Sequence, residues 1–256
     1  MRSAVVVADT GAPAAVHGVH GAAGTTRWTC LARRAGLTGA WEAVEWASVP
    51  AGGVSGEHLH TRTREVYVVL TGAGEVTLDG RPYPVRAGDA VLTALGTRHG
   101  LRNTGTGPLE WLVIELPAET PAELPAGPPA AHPAVAPGTA PETAAGRCRP
   151  VGSTVVTDLR RTGPLDPSAV IGGPLRLLHH TGLSPGRRTD LVADGVEHTV
   201  FVTGGGGRTS VGGARVPLRP GTALTLPHGT AAGLAAGPSG LAYVHAELVL
   251  PGGGRR

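Results

Sequence analysis

Lysine and glutamine are missing from this 256-residue chain, asparagine occurs once, and only eight residues are aromatic. All 22 basic residues are therefore arginine, a compositional bias of little functional weight. With four Trp, three Tyr and one Phe, the core has to be built from Val, Leu and Ala. The two cysteines, Cys30 and Cys148, stand alone without metal-type spacing, which predicts reduced thiols rather than a disulfide scaffold. No stretch approaches the roughly 20 apolar residues of a membrane-spanning helix. The apolar run near the start is too short for a secretory signal, so the expected location is cytoplasmic, with no membrane partner. Charge is sparse as well, 16% of residues with a formal net of +3. The arginines are scattered and stacking aromatics are few, so nucleic acid is not an expected partner. Low charge together with 41% apolar residues excludes wholesale disorder.

Glycine and proline, by contrast, are abundant, with 41 and 23 residues, a quarter of the chain. Part of that excess is one segment. Between Pro117 and Pro150 nine prolines alternate with Ala, Gly, Thr and Glu, a composition that buries little surface and runs extended at about 3.1 Å per residue. Residues 117–150 read as a linker. On both sides, short apolar runs are separated by turn signals such as Asp79-Gly80. They lie at 41–49, 65–70, 74–78, 90–93 and 109–116 before the linker, and at 175–181, 198–203, 208–211, 222–226 and 241–250 after it. Runs of this length with frequent turns are strands; the pattern allows one helical turn, at 33–39. The halves also match each other. Val49-Pro50-Ala51-Gly52 parallels Leu183-Ser184-Pro185-Gly186, Glu65 and Gly72 parallel Glu197 and Gly204, and Gly88 and Gly96 parallel Gly221 and Gly229. The chain is expected to be all-β, a β-rich domain duplicated on either side of the linker, at residues 1–116 and 151–256. Gly204–Gly207 is expected as a hairpin turn; it lacks the lysine and the strand-to-helix context of a phosphate loop.

Residues able to carry chemistry concentrate in the first half. In Gly56-Glu57-His58-Leu59-His60, strand alternation points His58 and His60 the same way, close enough for both imidazoles to lean onto one ion. Glu65 opens the next strand after a short turn and returns a carboxylate to that face. His99 supplies a third imidazole in a strand-like context, and Asn103 follows it with the same parity. These positions resemble the two motifs of the cupin superfamily. Gly52, His58, His60, Glu65 and Gly72 match the first, and Gly88, Gly96, His99 and Asn103 match the second. The one departure is Ala94 where the family has proline. The resemblance implies two antiparallel cupin (jelly-roll-like) β-barrels, the first holding one divalent metal through His58, His60, Glu65 and His99. Three imidazoles and a carboxylate suit Fe(II), Mn(II), Ni(II) or Zn(II) alike. Asn103 is either a partner of a ligand or a turn-closing side chain.

In the second half, register to Glu197 places Asp190 at the position of His58 and Val192 at that of His60, and Ala232 falls at that of His99. The metal is therefore expected in the first barrel only, one per chain, with the second barrel a scaffold. His179 and His180 point to opposite faces, His198 should face outward, and His228 and His245 are expected in surface or packing roles. Tyr67 shares parity with Glu65 and is the candidate catalytic side chain; Trp46 and Trp111 read as core, and Arg98 and Arg102 as facing away from the metal. The resemblance implies a metal-dependent enzyme acting on an oxygen-bearing small molecule. A dioxygenase is placed first, a non-redox isomerase, cyclase, lyase or decarboxylase beside it, and a non-catalytic sugar- or metabolite-binding protein as the reading from a different class. Barrel edges leave a homodimer open.

Overall fold

The computed structural model describes residues 4–118, 149–151 and 154–251. Most of segment 117–150, including Cys148, lies outside them. Nearly all regular structure is antiparallel strand, as composition and turn spacing predict. The remainder is a 3-10 turn at Val19–Gly21 and two four-residue helices, Leu159–Thr162 and Ser168–Ile171, that the sequence pattern does not announce. The first of these helices starts where the Asp158 side chain accepts from the Arg160 N–H. In place of the expected helical turn at 33–39, Arg33 ends a strand and residues 34–37 form a turn, closed by Leu37 N–H donating to the Arg34 carbonyl at 3.2 Å. No helix among the described residues is long and apolar enough to cross a membrane.

The first barrel is a sandwich of two sheets. Its larger sheet is built around Thr63–Thr71, Leu109–Pro117 and Ala43–Val49; the smaller contains Val54–Leu59, Arg98–Asn103, Ala73–Leu78 and Arg81–Arg86. Between them lies an apolar filling that includes Tyr67, Val69, Val76, Leu101 and Trp111. The other face of the larger sheet does not meet water. Val66, Val68, Leu112 and Ile114 pack there against Phe201, Val244 and Leu248 of the second half. A strand buried on both faces has no polar side to show, which is why 65–70 and 109–116 read as continuous apolar runs. Trp46 and Trp111 are both core, on opposite faces of this sheet.

Strand pairing crosses the boundaries drawn from sequence. Val6–Asp9 pairs with Thr222–Leu226 of the second half, and Thr154–Asp158 pairs with Asp89–Thr93 of the first. Each half thus supplies a strand that covers an open edge of the other, a standard device against edge-to-edge association. The expected division at 116 and 151 separates the chain but not the sheets.

A second tie between the halves is Glu197. Its carboxylate is fully buried and accepts from Thr38 N–H (2.8 Å), Gly39 N–H (2.9 Å), the Trp41 indole N–H (2.9 Å) and His228 N–H (3.0 Å). This placement corrects the sequence alignment of the two copies. Backbone bonds fix the true register: His60 N–H donates to Thr97 O and Gly96 N–H to His60 O, just as Ala193 N–H donates to Thr230 O and Gly229 N–H to Ala193 O. Strand pairs agree, since Glu65 lies opposite Thr93 and His198 opposite Leu226. The counterparts of His58, His60 and Glu65 are therefore Leu191, Ala193 and His198, one residue beyond Asp190, Val192 and Glu197. A one-residue slip exchanges the two faces of a strand. So Glu197 faces the junction between halves, while His198 faces the interior of the second barrel and not outward. There it lies 3.1 Å from the His245 ring, with its other nitrogen 3.2 Å from the Val192 carbonyl. Gly204–Gly207 is likewise no hairpin turn. It lies within the Val196–Val211 strand as a bulged bend, with register shifts at 202/204 and 205/207.

Candidate metal centre

His58 lies directly opposite His99 in the smaller sheet, so the two imidazoles rise side by side from neighbouring strands. A register shift follows at once, between His99 and Leu101, of the kind that re-aims side chains near functional sites. His60 stands just past the end of the His58 strand, pinned there by the two backbone bonds to Thr97 and Gly96. Glu65 comes from the larger sheet and closes the group from across the barrel.

The four side chains meet. The Nε2 atoms of His58 and His60 are 2.8 Å apart, those of His60 and His99 3.0 Å, and those of His99 and His58 3.2 Å. Glu65 Oε2 lies 3.3 Å from His60 Nε2 and 3.1 Å from His99 Nε2. His60, Glu65 and His99 are buried and His58 is half-buried, which makes the His58 side the solvent side. Donors bound to one first-row ion at about 2.0–2.1 Å and at right angles to each other stand about 3 Å apart, so these spacings fit such an ion. Two further observations agree with that fit. Glu65 Oε2 is buried with no hydrogen-bond donor among the described residues, a costly orphan unless a cation takes it. In addition, His58 Nδ1 is 3.1 Å from the Gly56 carbonyl and His60 Nδ1 is 3.0 Å from the Thr63 hydroxyl, leaving each Nε2 to face the group.

Electrostatics favour the ligand forms of the imidazoles. Burial, then mutual repulsion, pushes His58 down to about 4 and His60 to about 3; burial, then His20, takes His99 to about 3. All three are neutral across the physiological range. Glu65 goes the other way, up to about 7, because burial penalises its charge. Glu115, directly opposite Glu65 on the neighbouring strand, is pushed up to about 8 by burial and by Glu65. The interaction between the two acts in opposite directions, lowering Glu65 and raising Glu115. Glu45 stands one strand further along, raised by burial and holding the Trp28 indole N–H at 2.8 Å.

The Tyr67 hydroxyl reaches the group, 3.3 Å from His99 Nε2, and burial followed by the Glu65 charge keeps it protonated well above its ordinary range. Asn103 resolves to the turn-closing role. Its Nδ2 lies within 3.1 Å of the carbonyls of Val49, Pro50 and Gly107, which share its two N–H groups, and its Oδ1 accepts from Gly105 N–H. Arg98 and Arg102 are both exposed, and the charge of Arg98 helps lower His58. Sequence reading missed Glu45, Glu115 and His20. The two glutamates carried a usable signal, being charges inside otherwise apolar strand runs. His20, whose ring stacks on His58, carried none.

These values set the pH dependence of metal binding. Below about pH 7 an incoming ion must displace the Glu65 proton, whereas the imidazoles are already neutral and do not compete until about pH 4. Apparent affinity for Zn(II) is expected to fall about tenfold per pH unit below 7, with about one proton released per ion at pH 6. Calorimetry in buffers of different ionisation enthalpy reads that number directly; two or three protons would mean that the histidines titrate near their ordinary 6.5. Without metal the same shifts act on stability in opposite senses. The raised Glu65 contributes stability below its unfolded value of 4.5 that is lost as pH rises through 7, and the lowered histidines contribute stability above 6.5 that is lost as pH falls through about 4 and 3.

Residues 45–115, which include all four donors, match the family model described as Cupin domain. A 66-residue stretch is 36% identical to the oxalate-binding protein of Thermotoga maritima, covering 26% of this chain and 54% of that protein. The chain spans about half the length of the curated relatives it matches. Among solved structures, the protein YlbA of Escherichia coli superposes with a TM-score of 0.69 at 10% identity, covering 97% of this chain and 92% of that one. The bacterial pirin YhhW of Escherichia coli, in complex with nickel(II), gives 0.64 at 16% identity, covering 96% and 100%. At those identities the likeness is one of fold, and it runs through both halves. Residues 45–115 of this chain are thus a cupin domain, and its four convergent donors, His58, His60, Glu65 and His99, form a candidate divalent-metal site.

Proposed function

We propose that the protein is a metal-dependent enzyme acting on a small molecule that binds through oxygen atoms, with dioxygen-dependent oxidation placed first. The observation that carries this reading is the donor set itself, three neutral imidazoles and one carboxylate converging on one point beside the half-buried His58. A divalent ion bound there keeps a net positive charge and supplies Lewis acidity and, as Fe(II), Mn(II) or Ni(II), redox chemistry. The positions equivalent to His58, His60 and His99 in the second half are Leu191, Ala193 and Ala232, which offer no donor; this supports one metal per chain, in the first barrel.

The remaining roles fall to residues already in place. Tyr67 holds its proton at the wall of the group and serves as a hydrogen-bond donor, not a base. Glu115, directly opposite Glu65, hydrogen-bonds that carboxylate. The apolar filling around Trp111 and Val69 keeps water from the inner side. An anionic ligand would be held by the ion, with Tyr67, 3.3 Å from His99 Nε2, as hydrogen-bond donor.

A second reading, a protein that binds a small carboxylate without turnover or decarboxylates it, is favoured by the similarity to the oxalate-binding protein of Thermotoga maritima. The two separate in one experiment. Untagged protein is analysed for metal, then given candidate hydroxy-carbonyl and carboxylate compounds while oxygen uptake and products are followed with and without air. Oxygen uptake matched to product supports the oxidation; product formed under strict anaerobiosis with Zn(II) rejects it in favour of non-redox chemistry. Saturable binding of a dicarboxylate with no product in either atmosphere supports the second reading.

A further inference from the structure

His20 stands apart from the donor group and outside the matched cupin residues, yet the chain goes to some length to place it. It is the middle residue of the Val19–Gly21 turn and adopts φ 51° and ψ 36°, a left-handed conformation that a β-carbon disfavours. Only one other described non-glycine residue, Asp79, has a positive φ. Gly18 and Gly21 on either side are also left-handed, at φ 69° and 77°. Nothing in the packing of the core asks for an imidazole there, because the residue is exposed. Glycine or asparagine would hold such a turn at less strain.

What the position does achieve is contact with one metal ligand. The His20 ring lies flat on the His58 ring, with centroids 3.5 Å apart and planes 10° from parallel. The strand beneath is shaped to allow it. A β-carbon at residue 56 would collide with the His20 carbonyl, and it would stand 3.2 Å from Ala22 N, so only glycine lets the turn approach this closely. The carbonyl of that same Gly56 lies 3.1 Å from His58 Nδ1. His58 is thus held at its edge by Gly56 and on one face by His20. It is also the donor of the four that is least walled by the barrel, where His60, Glu65 and His99 are enclosed by the sheets.

We infer that His20 is a positioning residue of the metal centre: by stacking on His58 it locks that imidazole towards the ion and closes the solvent side of the group, so that a bound metal leaves slowly. This rests on the reading that His58, His60, Glu65 and His99 hold a divalent ion. The stack, not a nitrogen of His20, is the working part, since the ring lies against His58 and takes no place in the donor group itself. The Val19–Gly21 turn thereby becomes part of the centre although it lies some forty residues upstream of the first ligand.

The test uses the full chain loaded with Co(II) or Zn(II). Metal release into a chromophoric chelator and the visible spectrum of the Co(II) form are measured for the parent and for His20→Ala, His20→Asn and His20→Phe. Ala and Asn are expected to release metal about tenfold to a hundredfold faster, as when an outer partner of a ligand is lost, with an altered Co(II) spectrum and unchanged thermal stability. Phe, which keeps a flat ring on His58 but has no nitrogen, is expected to restore the parent rate and spectrum. Parent-like release and spectrum in His20→Ala would overturn the inference, as would a Phe variant as leaky as Ala. A parent chain that takes up neither ion at one per chain overturns the metal reading itself, a distinct result.

Discussion

A Glu197→Ala chain is expected to melt about 10 °C below the parent while keeping its metal stoichiometry. The four groups that donate to this carboxylate come from different parts of the chain: Thr38, Gly39 and Trp41 from one half, and His228 from the other. Removing the acceptor strands several donors in a junction where Gly39 is packed so closely that a β-carbon would sit 2.8 Å from the Glu197 carboxylate. Each orphaned buried donor costs about 1–3 kcal/mol, and water entering the gap offsets part of it, leaving about 4 kcal/mol. For a chain of this size each kcal/mol is worth about 2–4 °C. Glu197→Gln, which keeps an acceptor oxygen, should fall between. Differential scanning calorimetry decides the matter; a shift of only about 2 °C would mean that solvent replaces the carboxylate without penalty.

Replacing His99 with alanine is expected to weaken Zn(II) binding by at least about a hundredfold, beyond what loss of a mere outer partner does. His99 is the most enclosed of the three imidazoles and stands within 3.2 Å of both others and within 3.1 Å of Glu65. Its replacement removes a donor and the atom on which Tyr67 rests. The folded barrel should survive, because the pairing of the Arg98–Asn103 strand is made by backbone groups. Chelator competition reads the affinity, and catalytic turnover, where a substrate has been found, should vanish with it. Unchanged affinity would mean that the ion sits elsewhere.

Where the sequence was legible, short-range chemistry is the reason. Turn glycines and Asp79-Gly80 mark the strand ends, so the fold class was legible; strand alternation relates His58 to His60, while Glu65 and His99 were added by the resemblance to the cupin motifs, and the structure brings them within 3.3 Å of His60 Nε2. The error in aligning the second copy has a physical cause too. Around Val196–Val202 both faces are buried, Glu197 at the junction and His198 inside the barrel, so no polar–apolar alternation marks which face is which. A count of residues alone could not tell offset 132 from 133. His20 was illegible for a different reason: its role depends on a left-handed turn and a tertiary stack, neither of which leaves a local pattern. Asn103, left open between two roles, needed only its acceptors to be seen.

The exchange of edge strands has a consequence for the order in which the molecule is made. Val6, near the start of the chain, finds its partner Thr225 about 220 residues later. At a synthesis rate of roughly 5–20 residues per second, the first strand waits about 10–40 s for the strand it will pair with. The first barrel is in the same position on a shorter delay, since its Asp89–Thr93 edge stays bare until Thr154–Asp158 emerges. The four candidate donors, His58 to His99, have all emerged well before that edge is covered, so the first half stays prone to join a neighbour until Thr154–Asp158 is in place.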